Sequence, residues 1–453
     1  MSLSSALSVA LTGLQVSSTM LQLTSDNISN ANTAGYTTKA ANLTSIATGG
    51  VEIANYTRAT NNALTLAFGA ATSSASYFDT QNTYMQQVQA ILGSNANNPP
   101  LSDAIAKFAA AWTQLQASPE DPTVQETVVQ AGNNFAKQIN TIAAQVGTFQ
   151  TQVRTDIQNT VSQLNTDLAS IASFNQQIVT ANSNHQPTGN LEDQRDQLVN
   201  KVAAITNVQT FQRNQGQIAL YTPDGVSLLD GTPQVFSYNS STGVVSNSNG
   251  VNVTNDLIGG SLQAGLQFNA TTNPPSSLPG VNTIQKLQGQ LKDLVTAFTN
   301  GSAFATAYNP GGVTANDFFQ ATSNDPGTFA VTSSLITDPT TLSQTTATAT
   351  AATFTANNTY TDANAGLSVT GTYADLVGSI LSSFQQAANT ISNQNQTTAQ
   401  QKTYYQQSLS NATGVNIDTE LVNLTNLQNS YAASAHVINT ITQMFNDLIS
   451  TIA

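Results

Sequence analysis

The two ends of this chain carry the same kind of apolar ladder, and that limits its possible folds more than any other feature. Near the N-terminus Leu3, Leu7, Ala10, Leu14, Ser17 and Leu21 step alternately by four and three residues. That spacing stacks them along one stripe of an α-helix. The stripe is weak, because Ala10 and Ser17 are small. The helix is expected to stop near Asn30, before Ala31-Asn32-Thr33-Ala34-Gly35-Tyr36, where Asn and Gly suit turn backbone. At the other end Ile417, Leu421, Leu424, Gln428, Tyr431, Ala435, Ile438, Thr442, Phe445 and Ile449 repeat the rhythm, and Leu427, Ile441 and Leu448 widen it. Asp418 and Glu420 lie where a helix dipole favours anions, and Gly414 is a breaker just upstream. The simplest arrangement pairs the two helices as a coiled coil. Two narrow seams alone bury little. The pair is therefore either a helical hairpin closing one large domain or an assembly module that completes its core only in a polymer. Periodicity does not separate these readings.

Between the ends, residues 74–205 read as helical. Tyr77, Tyr84, Val88 and Ile91 mark one segment, and Leu101, Ile105, Phe108, Trp112 and Leu115 a second. Ser118-Pro119-Glu120-Asp121-Pro122 breaks the pattern. Asp121 is a natural N-cap with Pro122 at the first helical position. A long helix is expected from there to about Asn182, with Val153, Ile157, Val161, Leu164, Leu168, Ile171 and Ile178 as core positions. Leu191, Leu198, Val202 and Ile205 mark another.

From Val208 to about residue 370 the chain is rich in Gly, Thr, Asn and Pro, with short alternating runs. Residues 217–221 and 226–229 flank Pro223-Asp224-Gly225, a hairpin signal, and Asp325-Pro326-Gly327 repeats the turn chemistry. One helix, from Ile284 to Phe298, interrupts this stretch. The Thr/Ala run from Thr340 to Ala363 permits exposed strands. Helix returns at Tyr373. The expected class is α+β in three nested layers. Residues 1–35 plus 415–453 form the terminal coiled coil, 36–205 plus 372–414 a mainly helical middle domain, and 206–371 an inserted β-rich domain.

Composition excludes several functions. Charged residues make up only 8% of the 453, against about 25% in an ordinary soluble domain. Eleven Lys and Arg against 24 Asp and Glu leave a net charge of −13, so nucleic acid and anionic membranes are poor partners. The absence of Cys rules out thiol catalysis, disulfides and zinc–thiolate sites. The only histidines, His185 and His436, lie far apart in sequence, which disfavours a His-based triad or metal site. No continuous run of 18 apolar residues suggests a membrane span. Met1-Ser2-Leu3-Ser4-Ser5 lacks the features of a cleavable signal. A cysteine-free surface rich in Asn and Thr nevertheless looks extracellular, so export without a cleaved signal is expected.

No residue set points to catalysis, a cofactor or a metal. Glu192, Asp193 and Asp196 sit beside Arg195 on an expected helix, where surface ion pairs are the expected role. Asp224 and Asp325 are turn formers. A bacterial adhesin could share the composition, but should carry a signal or an anchor.

The segment Asp26-Asn27-Ile28-Ser29-Asn30-Ala31-Asn32-Thr33-Ala34-Gly35-Tyr36 resembles the N-terminal signature of bacterial flagellar axial proteins, the rod, hook and hook-associated proteins. Asn27, Asn30, Asn32, Thr33, Gly35 and Tyr36 fall on its pattern. Asp26 stands where Asn is common, and Thr38 where Arg or Gln often follows the Tyr. Residues 414–421 through 431–435 resemble the matching C-terminal signature. Within the family, residues 190–199, containing Gln194, Arg195 and Asp196, are similar to a segment of the hook-associated members. Residues 118–122 and 259–266 are similar to them too.

That resemblance implies a structural subunit of the junction between hook and filament. Copies in a ring would contact the hook protein on one side and a second junction protein, toward the filament, on the other. Subunits would be exported unfolded by a type III apparatus, with a chaperone holding the C-terminal helix. The implied assembly surface is Leu3, Leu7, Leu14, Leu21 and Ile28 with Ile417, Leu421, Leu424, Tyr431, Ile438 and Phe445. A hook or distal rod subunit is the alternative, although such a subunit should turn β-rich soon after its first helix.

Overall fold

The computed structural model describes residues 3–47, 49–93, 100–271, 279–299, 301–312, 316–362 and 365–452. Met1, Ser2, Ala363 and Ala453, which the expected segments included, lie outside these. Helix α1 (Leu3–Ser29) leads through the Asn/Gly turn to an antiparallel hairpin, β1 (Lys39–Ser45) and β2 (Val51–Arg58), with a register shift at Asn42/Leu43. Four helices follow: α2 (Asn62–Leu92), α3 (Leu101–Ala117), α4 (Pro122–Ser183) and α5 (Gly189–Ile205).

Local chemistry sets these boundaries. The Asn61 side chain accepts from the Leu64 N–H at the start of α2, and Asp121 accepts from the Thr123 N–H at the start of α4. Helix α4 has 62 residues and spans about 90 Å. Its expected core row from Val153 to Ile178 is buried. Along its outer side the hydroxyls of Thr141, Thr148, Thr151, Thr155, Ser162, Thr166 and Ser170 each donate to the carbonyl four residues back.

The stretch 206–371 is mixed rather than β-rich. Strands β3 (Gln209–Gln212), β4 (Ile218–Tyr221), β5 (Ser227–Asp230) and β6 (Thr232–Pro233) form an antiparallel sheet in that order, beside the pair β7 (Phe236–Asn239) and β8 (Val244–Asn247). Next come α6 (Gly260–Asn269), α7 (Thr283–Thr296), α8 (Ala303–Tyr308), the two-residue pair β9 (Phe319–Gln320) and β10 (Ala330–Val331), α9 (Ser333–Thr337), α10 (Ala347–Thr353) and the hairpin β11 (Asn358–Asp362) and β12 (Leu367–Gly371). The turn Thr222-Pro223-Asp224-Gly225 does close β4 onto β5 through the Gly225 N–H and the Thr222 carbonyl. Short strands cannot close a sheet core of their own. Strands β5, β6, β7 and β10 lie instead on α4, which α6 and α7 also pack against; β4 bonds to Asn175 of α4, and the β11–β12 hairpin packs on α7 and α11. Among its described residues the Thr/Ala run makes one α-helix, α10, with Ala347, Thr350 and Ala351 buried, and one strand, β11. Helix α11 (Tyr373–Thr413) opens on a Thr372/Asp375 capping box, and α12 (Ile417–Ile452) ends the chain.

A single apolar cluster runs from Tyr84 in α2 to Ile391 in α11 and takes in buried residues of the whole 206–371 stretch. Its centre is aromatic. The Phe108 ring lies 5.3–6.2 Å from those of Trp112, Phe135, Phe298, Phe304, Phe318, Phe319 and Phe354. No residue of α1 or α12 belongs to this cluster.

Asp293 on α7 faces Asp362 at the end of β11. Burial first, then the second carboxylate, push the Asp293 carboxyl up to about 7. The folded chain therefore keeps a proton that the unfolded chain has lost. Folding bears no cost from this group below about pH 4, a rising cost between pH 4 and 7, and a constant one above. Asp293→Asn is expected to stabilise the protein at pH 8 by on the order of 1 kcal/mol, after discounting for partial solvent exposure. At pH 4 it should give no gain. Thermal unfolding at the two pH values checks both.

Candidate functional site

The terminal helices lie against each other. In α1, Ala10, Val16 and Ser17 are buried, and Leu3, Leu7, Leu14, Leu21 and Ile28 are half-buried. Gly13 marks a close approach: a Cβ there would stand 3.4 Å from the Ser434 Oγ of α12. On α12 the covered side runs through Glu420, Leu424, Leu427, Ser434, Ile438, Ile441 and Phe445. The expected ladder is thus divided. Leu424, Ile438 and Phe445 face inward, whereas Ile417, Leu421 and Tyr431 are exposed. With Val422, Val437, Met444, Leu448 and Ile449 they leave apolar side chains open to solvent on both flanks of the covered side, Leu421 at 47% and Ile449 at 62% exposure. One partner helix covers one side of α12; the apolar surface is wider than that. Helix α1 also has the length and mean hydropathy, 1.2 over 18 residues, of a membrane span, although only 17% of that window is buried. The expectation of no span rested on the absence of an unbroken apolar run. Ser, Thr and Gln interrupt the apolar residues of α1 throughout.

The signature turn forms a second feature, a polar clasp. Asn27, buried in the last turns of α1, donates its Nδ2 to the Lys39 carbonyl (2.9 Å), while its Oδ1 accepts from the Lys39 N–H (3.1 Å) and the Tyr36 hydroxyl (3.0 Å). Gly35 has φ +78°, which favours glycine, and the Gln197 side chain donates to the Ala34 carbonyl. Asn30 donates to the Asp26 carbonyl, and the Thr33 hydroxyl donates to Asn30. Asn32 is exposed.

Asp193 of α5 then takes four donors. These are the Thr37 N–H and hydroxyl, the Lys39 Nζ at 2.7 Å and the Arg58 Nη1 at 3.0 Å. Arg58 also bridges Glu192 and Asp196, each at 2.6 Å. The side chains of Lys39 and Asp193 are 7% and 5% exposed. The Lys39 Nζ stands 3.3 Å from the Tyr36 ring centre. Burial pulls the Lys39 ammonium below its ordinary value, against the pull of Asp193. Burial, with the carboxylates of Asp26, Asp193 and Glu420, pushes the Tyr36 hydroxyl up to about 12. The C-terminal joint is tied in as well, because Thr38 donates its N–H to the Thr413 carbonyl (2.8 Å) and its hydroxyl to the Gly414 carbonyl (2.7 Å). A cleft of about 1640 Å³ runs beside the clasp, between residues 31–37, the start of α2, α5 and the α11–α12 joint.

The expected surface ion pairs of Glu192, Asp193 and Asp196 with Arg195 are replaced by this arrangement. Arg195 turns the other way. It is buried and donates to the Gly216 carbonyl (2.6 Å) and to Asn175 (3.2 Å), which in turn bonds both backbone groups of Ile218. Its approach to Asp196 is only 3.7 Å. Gln194 is exposed on the same helix. His185 sits at positive φ in the turn after α4, and His436 is exposed on α12. Among the described residues no group of three or more His, Asp or Glu is placed to hold a metal.

A family model described as the helical domain of the flagellar hook-associated protein FlgK matches residues 85–319, just over half of the chain. The chain belongs to the FlgK family. A second model, the C-terminal region of flagellar basal body rod FlgEFG proteins, matches residues 406–451. Flagellar hook-associated protein 1 of Salmonella typhimurium is 26% identical over 241 residues, covering 51% of this chain and 43% of that protein. Its counterpart in Bacillus subtilis is 23% identical over 247 residues, covering 50% and 48%. These matches thus span less than half the length of each relative. The flagellar hook junction protein FlgK from Burkholderia pseudomallei superposes with a TM-score of 0.45 at 21% identity, covering 58% of this chain and 47% of that one. The FlgK match takes in α3, α4 and α5, and so includes Gln194, Arg195 and Asp196 with the three carboxylates of the clasp. Lys39 and Arg58 lie outside it. Sequence reasoning missed both cations and the whole β1–β2 hairpin. The available signal was scarcity, since a chain with eleven Lys and Arg places few of them idly.

Proposed function

We propose that this chain is a structural subunit of the bacterial flagellum, exported by the type III apparatus and built into the junction between hook and filament. It joins copies of itself in a ring, with the hook protein below and a second junction protein above, toward the filament. A chaperone covers the C-terminal helix before assembly. It is neither an enzyme nor a cofactor carrier. Residues 1–35 with 415–453 form the inner helical layer of the ring as a coiled coil. The body divides into a helical layer, 36–205 with 372–414, and the insertion 206–371 facing outward.

Membership of the FlgK family supports the flagellar location. The observation that carries self-assembly is the set of apolar side chains left open on α12. Exposed Leu, Ile, Val and Met on both flanks of a helix pair that shares no core with the body are costly in water unless neighbours cover them. The C-terminal rod-family match favours a hook or rod subunit as the second reading, but it covers only residues 406–451, whereas the FlgK match covers the interior.

Leu421→Asp tests the proposal. Leu421 is exposed, so the isolated chain should keep its helicity and melting temperature. A carboxylate buried in a subunit contact without a partner should block incorporation. Sedimented flagella from cells carrying the variant are expected to lack the protein. Normal incorporation would place Leu421 outside every contact.

A further inference from the structure

In the β1–β2 ladder Lys39 stands directly opposite Arg58. Like charges facing each other across a strand pair oppose pairing, and an isolated two-stranded hairpin is marginal in water at best. This hairpin, packed along α1, therefore carries a flaw at its open end that the Thr37 carbonyl and Tyr36 ring ease for Lys39 and the carboxylates of α5 neutralise. Asp193 accepts from both cations at once, at 2.7 and 3.0 Å, and Glu192 and Asp196 finish the neutralisation of Arg58. The terminal helices depend on the same point, for Asn27 of α1 grips the Lys39 backbone and Thr38 grips the α11–α12 joint at Thr413 and Gly414.

We infer that the hairpin is a conditional element, and that Asp193 is the positioning residue deciding whether both terminal helices are held to the body. When Asp193 faces Lys39 and Arg58, the hairpin closes and the two ends of the chain are fixed side by side. Without that carboxylate the base of the hairpin repels itself, and α1 and α12 are released together. The body is indifferent, since its apolar cluster takes nothing from either helix. This goes beyond the assembly reading and does not rest on it.

Hydrogen exchange measured by mass spectrometry on the full chain tests it. In Asp193→Asn, amides of residues 39–58 and of the first turns of α12 are expected to exchange about tenfold faster or more, with α3 and α4 unchanged. A lost hydrogen-bond acceptor alone would not be repaired by deleting a cation. The double variant Asp193→Asn with Lys39→Met removes the opposed charge, and it should recover protection across the hairpin. Three results would overturn the inference: wild-type exchange over 39–58 in the single variant, equal acceleration in α3 and α4, or no recovery in the double variant.

Discussion

A chain cut after Asn416 is expected to lose incorporation into flagella completely while its body stays folded. The buried cluster from Tyr84 to Ile391 includes no residue of α12, so the cut removes no core packing. It also spares the carbonyls of Thr413 and Gly414 that Thr38 grips. What goes is the covered side of the helix pair and the exposed apolar side chains between Ile417 and Ile449. Far-UV circular dichroism should show helix loss matching one long helix and a main melting transition within about 2 °C of the full chain. Cells carrying the truncated form should show none of it in sheared flagella. Incorporation of the truncated chain would remove α12 from the assembly role. Collapse of the melting transition would make α12 part of the body.

The second large effect concerns stability. Phe108→Ala is expected to cost about 3–5 kcal/mol, the upper range for a truncated core aromatic. Phe108 is fully buried and lies against seven rings supplied by α3, α4, α8, β9 and the loops flanking α7, β9 and α10. Such a convergence cannot collapse onto the void, because each ring is held by others. The stretch 206–371 meets the helical layer here, so the loss should loosen both. Denaturant unfolding followed by the fluorescence of Trp112, the sole tryptophan, would read the change, since Trp112 packs against Phe108 itself. A cost under about 1 kcal/mol would show that this centre repacks freely.

Much of the helical frame was legible because its signals are local. Asp121-Pro122 starts α4 through a cap that involves three residues. The turn at Thr222–Gly225 needs only its own four. The terminal ladders gave the helices and their period, but not their phase. Rows through residues 421, 428 and 435 and through 420, 427 and 434 have the same spacing and differ by one residue, about 100° of rotation. Only the position of α1 decides which one is covered. The clasp was illegible for another reason. Arg58 and Asp193 stand 135 residues apart, and each is unremarkable among its sequence neighbours. The β-rich reading of 206–371 failed because turn-rich texture marks where the chain reverses, not what it forms between reversals.

The outer side of α4 has a mechanical consequence. The seven Thr and Ser hydroxyls from Thr141 to Ser170 have each turned their single proton back onto their own helix. Past Lys137 no charged residue of that helix is exposed. The outward surface therefore offers hydroxyl lone pairs, methyl groups and the neutral amides of Gln145, Gln158, Asn159 and Gln176, with no fixed charge. Two such rods laid side by side would be held along most of their length by neutral hydrogen bonds and van der Waals contact, with no ion pair between them to set the stagger.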